Sequence, residues 1–215
     1  MTYTAKFRRA IKFAIKTHEV YQKQTRKGKN VAYITHPLTV GIILANIQAS
    51  EDVVVAGILH DTIEDSVAEK KVTKEMLTER FGEEVARLVL SVTELNKELP
   101  WEERKQEALN HIRHFDHDSL LVKSADVISN VSELVDDYNK DGEQVFLRFN
   151  APKEKIIGHQ LKAINTILEM WDQNPLAGDL STLAKDLLMT GGIGIRAKQP
   201  APIIEYRDYD ENAVL

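Results

Sequence analysis

Apolar residues recur along this chain at the spacing of helices. Phe7, Ile11, Ala14, Ile15 and His18 fall at i, i+4, i+7, i+8 and i+11, one face of a first helix that runs out in the polar stretch 22–30. Pro37 suits the first position of a second helix carrying Leu38, Val40, Ile43, Leu44 and Ile47, which leaves His36 at its threshold. Ser50 followed by Glu51 and Asp52 reads as a capped start for a buried helix over 53–63 that ends in His60-Asp61-Thr62-Ile63-Glu64-Asp65. Thr73 caps a short helix with Met76, Leu77 and Phe81 that stops at Gly82, and Val85, Leu88, Val89 and Val92 carry the next before Pro100.

Residues 101–114 read as a charged surface helix. From Ser119, the set Leu121, Val122, Ala125, Ile128, Val131 and Val135 predicts a buried helix with Asp126 in its middle and a turn at Asn139-Lys140-Asp141-Gly142. Ile156, Ile157, Leu161, Ile164, Ile167, Leu168 and Trp171 form a long stripe, and Leu183, Leu187 and Leu188 a last one closed by Gly191-Gly192-Ile193-Gly194, read as a helix stop because no strand precedes it. The expected fold is all-α, a multi-helix bundle over residues 1–175, with 176–215 a C-terminal helix and tail that leaves room for a short strand pair or an irregular segment.

Composition narrows the function. The chain of 215 residues carries a net charge of −5, which argues against a nucleic-acid coat, and its 43% hydrophobic content is enough to close a core. No apolar run reaches the ~18 residues needed to cross a bilayer, and charged residues break every apolar stretch near the N-terminus. With no cysteine, any metal must sit on His, Asp and Glu, and the expected compartment is the cytoplasm.

His60 and Asp61 close an otherwise apolar helix, where an uncompensated polar pair would cost several kcal/mol. His36, His60, Asp61 and Asp126 make a nitrogen and oxygen ligand set for a divalent ion, Mn²⁺ first, although the His-Asp dipeptide alone equally fits a capped, solvated helix end. Glu64 and Asp65 lie four residues beyond His60 and Asp61. If the helix persists, each stacks one turn past a ligand and can orient a water for attack; the alternative is two solvent-facing acids. Lys123, Asp126 and Asn130 share a helix face, placing an ammonium and an amide beside a ligand, or else forming a surface ion pair. Arg26, Lys27 and Lys29 make a basic loop suited to a polyphosphate, which a solvated charge run would match as well. His18 is expected to pack as a hydrogen-bonded side chain bordering the site, and His111, His114, His117 and His159 to lie on the surface.

The order of motifs is more specific than any one of them. Gln24-Thr25-Arg26-Lys27-Gly28, Tyr33-Ile34-Thr35-His36-Pro37, Leu59-His60-Asp61-Thr62-Ile63-Glu64-Asp65-Ser66, and Lys123-Ser124-Ala125-Asp126 with Asn130 together resemble the HD-domain phosphohydrolases, and within them the hydrolase domain of the RelA/SpoT family and the small alarmone hydrolases. The resemblance implies a helical fold holding one Mn²⁺ on His36, His60, Asp61 and Asp126, and removal of the 3′-diphosphate from guanosine tetra- or pentaphosphate. It also implies that Glu64 and Asp65 serve the attacking water and that Arg26, Lys27 and Asn130 lie at the nucleotide. Nothing after Trp171 looks like the family's nucleotide-synthesising domain. The family usually continues from the metal-binding Asp as Arg-Leu-His-Asn-Met-Arg-Thr, whereas Asp126 is followed by Val127-Ile128-Ser129-Asn130-Val131-Ser132-Glu133. Two cations are absent and one acid is new. Another phosphorylated nucleotide as substrate, or a non-catalytic module stapled by its metal, are the competing readings, and the oligomeric state is left open.

Overall fold

The computed structural model describes residues 3–94, 96 and 98–192. Its helices, in chain order, are α1 (Ala5–Ile15), α2 (Thr35–Asn46), α3 (Glu51–Leu59), α4 (Thr62–Asp65), α5 (Lys74–Phe81), α6 (Glu83–Val92), α7 (Trp101–Ile112), α8 (His117–Asp141), α9 (Lys153–Met170) and α10 (Ala177–Thr190). A π-helical turn, Lys16–Tyr21, extends α1, and a 3₁₀ segment, Gly142–Arg148, follows α8. Among the described residues there is no strand, only an isolated antiparallel bridge between Thr25 and Ala32. The expected strand pair of the tail, with Ile193 and Gly194, lies outside the described residues.

Local chemistry fixes most helix starts. Thr4, Ser50, Thr73 and Asp116 each accept a backbone N–H three residues on, satisfying one of the free donors at the starts of α1, α3, α5 and α8. Two boundaries differ from expectation. The second helix opens at Thr35, so Pro37 occupies its third position, where its missing N–H still costs no helical bond. The third helix stops at Leu59, and His60 and Asp61 form a break before the short α4.

Helix α3 is the centre of the bundle. Every residue of Val53-Val54-Val55-Ala56-Gly57-Ile58-Leu59 is buried, because α1, α2, α6 and α8 surround it. Such all-round apolar sequence is what a helix enclosed on every side requires. Two glycines set how closely α2 and α3 approach: a Cβ on Gly41 would fall 2.6 Å from Ile58 Cγ1, and one on Gly57 would collide with Leu44 Cδ1. The second long element, α8, has 25 residues and so spans about 37 Å, crossing both α2 and α3. Helix α9 packs on α7 and α8, and α10 lies on α8 and α9 with Leu180 and Leu187 fully buried. This frame brings the start of α2, the end of α3 and the middle of α8 to one place.

Candidate metal centre

His36 projects from the first turn of α2 and His60 from the break after α3, and both are buried. His60 Nδ1 lies 2.8 Å from the Gly57 carbonyl. A carbonyl only accepts, so Nδ1 carries a proton, and Nε2 is the nitrogen left to ligate an ion. His36 Nδ1 meets Ser129 Oγ at 2.9 Å, and the two Nε2 atoms face each other 3.2 Å apart. Asp126 Oδ1 stands 3.4 Å from His36 Nε2 and 3.8 Å from His60 Nε2, while Asp61 Oδ2 stands 3.6 Å and 3.0 Å from the same atoms. Ligand atoms of His36, His60 and Asp126 all fall within 4.8 Å of one another. Asp61 Oδ2 also accepts the Tyr33 hydroxyl.

The electrostatics show which charge this cluster favours. Burial opposes charge on His60, yet Asp61 and Asp126 overcome it and push the imidazole up to about 9. Burial likewise opposes ionisation of Asp61, but the facing His60 and His36 hold its carboxyl below the usual range; Lys123 and the two histidines do the same for Asp126. Two carboxylates and two imidazole nitrogens thus converge on a point where positive charge is strongly favoured. A divalent first-row ion on mixed nitrogen and oxygen donors fits that arrangement.

Around it α8 supplies one face. Lys123 Nζ lies 2.8 Å from Asp126 Oδ2 and Asn130 Nδ2 donates to Oδ1 at 2.7 Å, the i, i+3 and i+7 positions of a single helix. The loop between α1 and α2 packs against that face. Arg26 donates through Nε to Glu133 Oε2 at 2.7 Å and through Nη2 to Asn130 Oδ1 at 2.9 Å, and Lys29 reaches both Glu133 and Asp137 at 2.6 Å. Lys27 lies over the Phe149 ring, 5.2 Å from its centroid. Gly28, at φ +72°, seats the loop against the Arg148 side chain where a Cβ would come within 2.8 Å.

Glu64 and Asp65 stand on α4 rather than on a continuation of α3, so the break replaces the expected stacking of Glu64 over His60; Asp65 N–H still bonds the Asp61 carbonyl at 2.9 Å. Both acids are half-buried. Glu64 Oε2 accepts from the Glu94 N–H at 3.2 Å, and Asp65 Oδ2 accepts from Gln24 Nε2 at 2.9 Å. The Gln24 oxygen in turn lies 3.1 Å from His18 Nδ1. His18 is fully buried beside Tyr33, and burial holds its pKa down.

A cleft of about 370 Å³ opens on the cluster, lined by His60, Asp61, Glu64, Lys123, Asp126 and Asn130 together with Lys27, Trp101, Phe149 and His159. His159 is therefore no surface residue: it lies against Trp101, and burial together with Lys105 and Lys123 lowers its pKa to about 4. His117 is exposed, as expected, and its ring stacks on Trp171 at 4.0 Å. Ser129, Tyr33 and Gln24 were not expected as supports. Ser129, three residues after Asp126 on a buried face, carried a signal; the others are set by tertiary packing. Among the described residues no helix is long and apolar enough to cross a membrane.

The HD domain family matches residues 10–156. The guanosine-3′,5′-bis(diphosphate) 3′-pyrophosphohydrolase MESH1 of Danio rerio is 37% identical over 133 residues, which cover 61% of this chain and 70% of that protein. A GTP pyrophosphokinase of Myxococcus xanthus is 49% identical over 79 residues, 37% of this chain but only 10% of that much longer protein. The solved structure of a metazoan SpoT ortholog that hydrolyses ppGpp superposes with a TM-score of 0.70 at 23% identity, covering 90% of this chain and 99% of that one, and so shares the fold.

Proposed function

The chain belongs to the HD domain family, and from that membership we propose that it is a metal-dependent phosphohydrolase that removes the 3′-diphosphate from guanosine 3′,5′-bis(diphosphate) and the corresponding pentaphosphate. The observation that carries this reading is the convergence of His36, His60, Asp61 and Asp126 beside a cleft that His60, Asp61 and Asp126 line together with Lys27 and Lys123. Those four side chains would hold Mn²⁺, which supplies Lewis-acid polarisation of a phosphoryl oxygen and a lowered pKa for water.

The chain's own groups do the rest. Glu64 and Asp65 orient the attacking water and accept its proton, Asp65 being steadied by Gln24. Lys123 and Lys27 bring ammonium groups to phosphate oxygens, while Arg26 and Asn130 hold the nucleotide side of the cleft. The water oxygen bonds to the 3′-attached phosphorus, the bond from that phosphorus to the ribose 3′-oxygen breaks, the 3′-oxygen takes up a proton, and pyrophosphate leaves intact. A soluble nucleotide substrate fits a cytoplasmic enzyme.

A second reading keeps the enzyme class, a metal-dependent phosphohydrolase, and changes the nucleotide. It is favoured by α8, where Val127 and Ser132 stand in place of cations and Glu133 neutralises Arg26. Incubation with Mn²⁺ and a panel of guanosine 3′-diphosphates and ordinary nucleotides, with products separated by ion exchange, decides between them. Pyrophosphate and a guanosine 5′-phosphate species support the first reading. Orthophosphate alone, or turnover only of other nucleotides, supports the second, and metal binding with no turnover would make the chain a non-catalytic binding module.

A further inference from the structure

The cleft has a second charged wall that the roles above leave unused. Arg104 and Lys105, in the first turns of α7, both close on Glu94 in the segment after α6. Arg104 Nε lies 3.2 Å from Glu94 Oε2, and Lys105 Nζ lies 2.5 Å from Oε1. All three side chains are no more than a quarter exposed. Arg104 and Lys105 line the same cleft as His60 and Asp126, and Arg104 and Glu94 also line an adjoining cavity of about 480 Å³. Arg104 and Glu94 are common to the linings of both.

Two features mark this cluster as built for an anion. One carboxylate faces two cations, and Arg104 Nε, though within ion-pair reach of Glu94, is buried without an aligned hydrogen-bond acceptor. The guanidinium fork is therefore only partly used. His159, which lines the same cleft from α9, is kept neutral by burial and by the positive field of Lys105 and Lys123, so it adds no charge of its own at neutral pH. An arginine fork beside a lysine point charge is the pairing that phosphate oxygens recognise best.

We propose that Arg104 and Lys105 form a second anion subsite, which takes phosphate groups on the 5′ side of the nucleotide, and that Glu94 is the internal counter-ion those phosphates displace. The proposal rests on the reading of the chain as a hydrolase of a nucleotide phosphorylated at both its 3′ and 5′ positions. With the reacting 3′-diphosphate at the histidine and aspartate cluster, the remote phosphates need a separate cationic wall in the same cleft. Because the Glu94 N–H also holds Glu64, remote binding is coupled to the group that serves the water. Its benefit should then enter kcat as well as KM.

The test compares hydrolysis of guanosine 3′,5′-bis(diphosphate) with that of guanosine 3′-diphosphate bearing a free 5′-hydroxyl. Lys105→Gln and Arg104→Gln should each shrink the wild-type preference in kcat/KM for the 5′-phosphorylated substrate by roughly tenfold, the value of one charge-assisted bond. Glu94→Gln keeps the shape and the backbone N–H but frees both cations, so it should enlarge that preference. Calorimetric titration with guanosine 5′-diphosphate should follow the same order without any turnover: weaker in the two cation variants, tighter in Glu94→Gln. Equal losses on both substrates, or an unchanged preference and unchanged Kd in all three variants, would overturn the subsite. A wild-type protein that hydrolyses neither guanosine compound would instead overturn the hydrolase reading, and the calorimetric order would still decide the subsite.

Discussion

Arg26 Nε donates to Glu133 Oε2 across 2.7 Å, joining two residues 107 positions apart. The same carboxylate takes Lys29, Asp137 takes Lys29 and Arg148, and Asn130 links Arg26 to Asp126. The basic loop is thereby tied to the helix that carries a metal-cluster aspartate. The acid at position 133, conspicuous in sequence as a departure from the RelA/SpoT pattern, has a use: it is the counter-ion of the cations it faces.

That pairing sets a pH dependence. Burial works against charge on Glu133, but Arg26 and Lys29 prevail and hold its carboxyl below the usual range. A carboxylate whose folded pKa is depressed adds stability above its unfolded pKa, about 4.3, and loses it as pH falls through the folded value. Glu133→Gln should therefore lower unfolding stability by about 1 kcal/mol at pH 7, and the gap to wild type should close as the pH is taken well below 4. Urea denaturation of both proteins at pH 7 and pH 3 checks this. A gap of the same size at the lower pH would mean that the charge of Glu133 is not what stabilises the fold.

The metal cluster makes a graded prediction. Purified protein should carry about one divalent transition-metal ion per chain, and His60→Ala should abolish it. Ser129→Ala removes only the group that orients His36, so affinity should fall by about 10–100-fold with stoichiometry retained at high metal. Plasma mass spectrometry after dialysis against graded metal buffers separates the two. Full occupancy in His60→Ala would remove His60 from the ligand set.

Close packing of α2 on α3 positions both histidines, so a methyl group at their contact should be felt at the site. Gly57→Ala drives a Cβ into Leu44 Cδ1, and overpacking of this kind costs about 1–3 kcal/mol. A lower melting temperature with weakened metal binding is expected, because the Gly57 carbonyl also fixes the His60 ring. Gly158→Ala, inside α9 where nothing lies within 4 Å, is the control: helix propensity should raise its melting temperature slightly, and metal binding should be unchanged.

Much of this site can be seen in one dimension. His36, His60 and Asp126 each interrupt an apolar run, and a polar group there needs a partner that only another such group or an ion can supply. The break after Leu59 was hidden, because Ile63 continues the apolar period past it and spacing cannot report where a chain leaves the helix. Arg104 and Lys105 looked like the exposed face of a charged helix. What turns them inward is Glu94, ten positions or more away in a segment with no regular pattern. His159 lies off the apolar stripe of its helix and is covered only because α7 brings Trp101 over it.

Water activation by Glu64 and Asp65 can be separated experimentally from any support they give the fold. Both are half-buried on α4, just past His60 and Asp61; Glu64 accepts the Glu94 N–H and Asp65 accepts the Gln24 amide. A carboxylate steadied beside the cluster is placed to take a proton from water. Glu64→Gln and Asp65→Asn keep the size and much of the hydrogen bonding while removing the base. Turnover should fall at least ~10²-fold, the range for a positioned acid or base. Metal content should stay near wild type, and KM should change much less than kcat, because an interaction made chiefly in the transition state lowers kcat and kcat/KM together. Wild-type rates in both variants would leave water activation to the metal ion alone. Loss of metal in either would make that acid a ligand or a support of the cluster. A fall in kcat with metal retained is the one result that assigns the proton to these carboxylates.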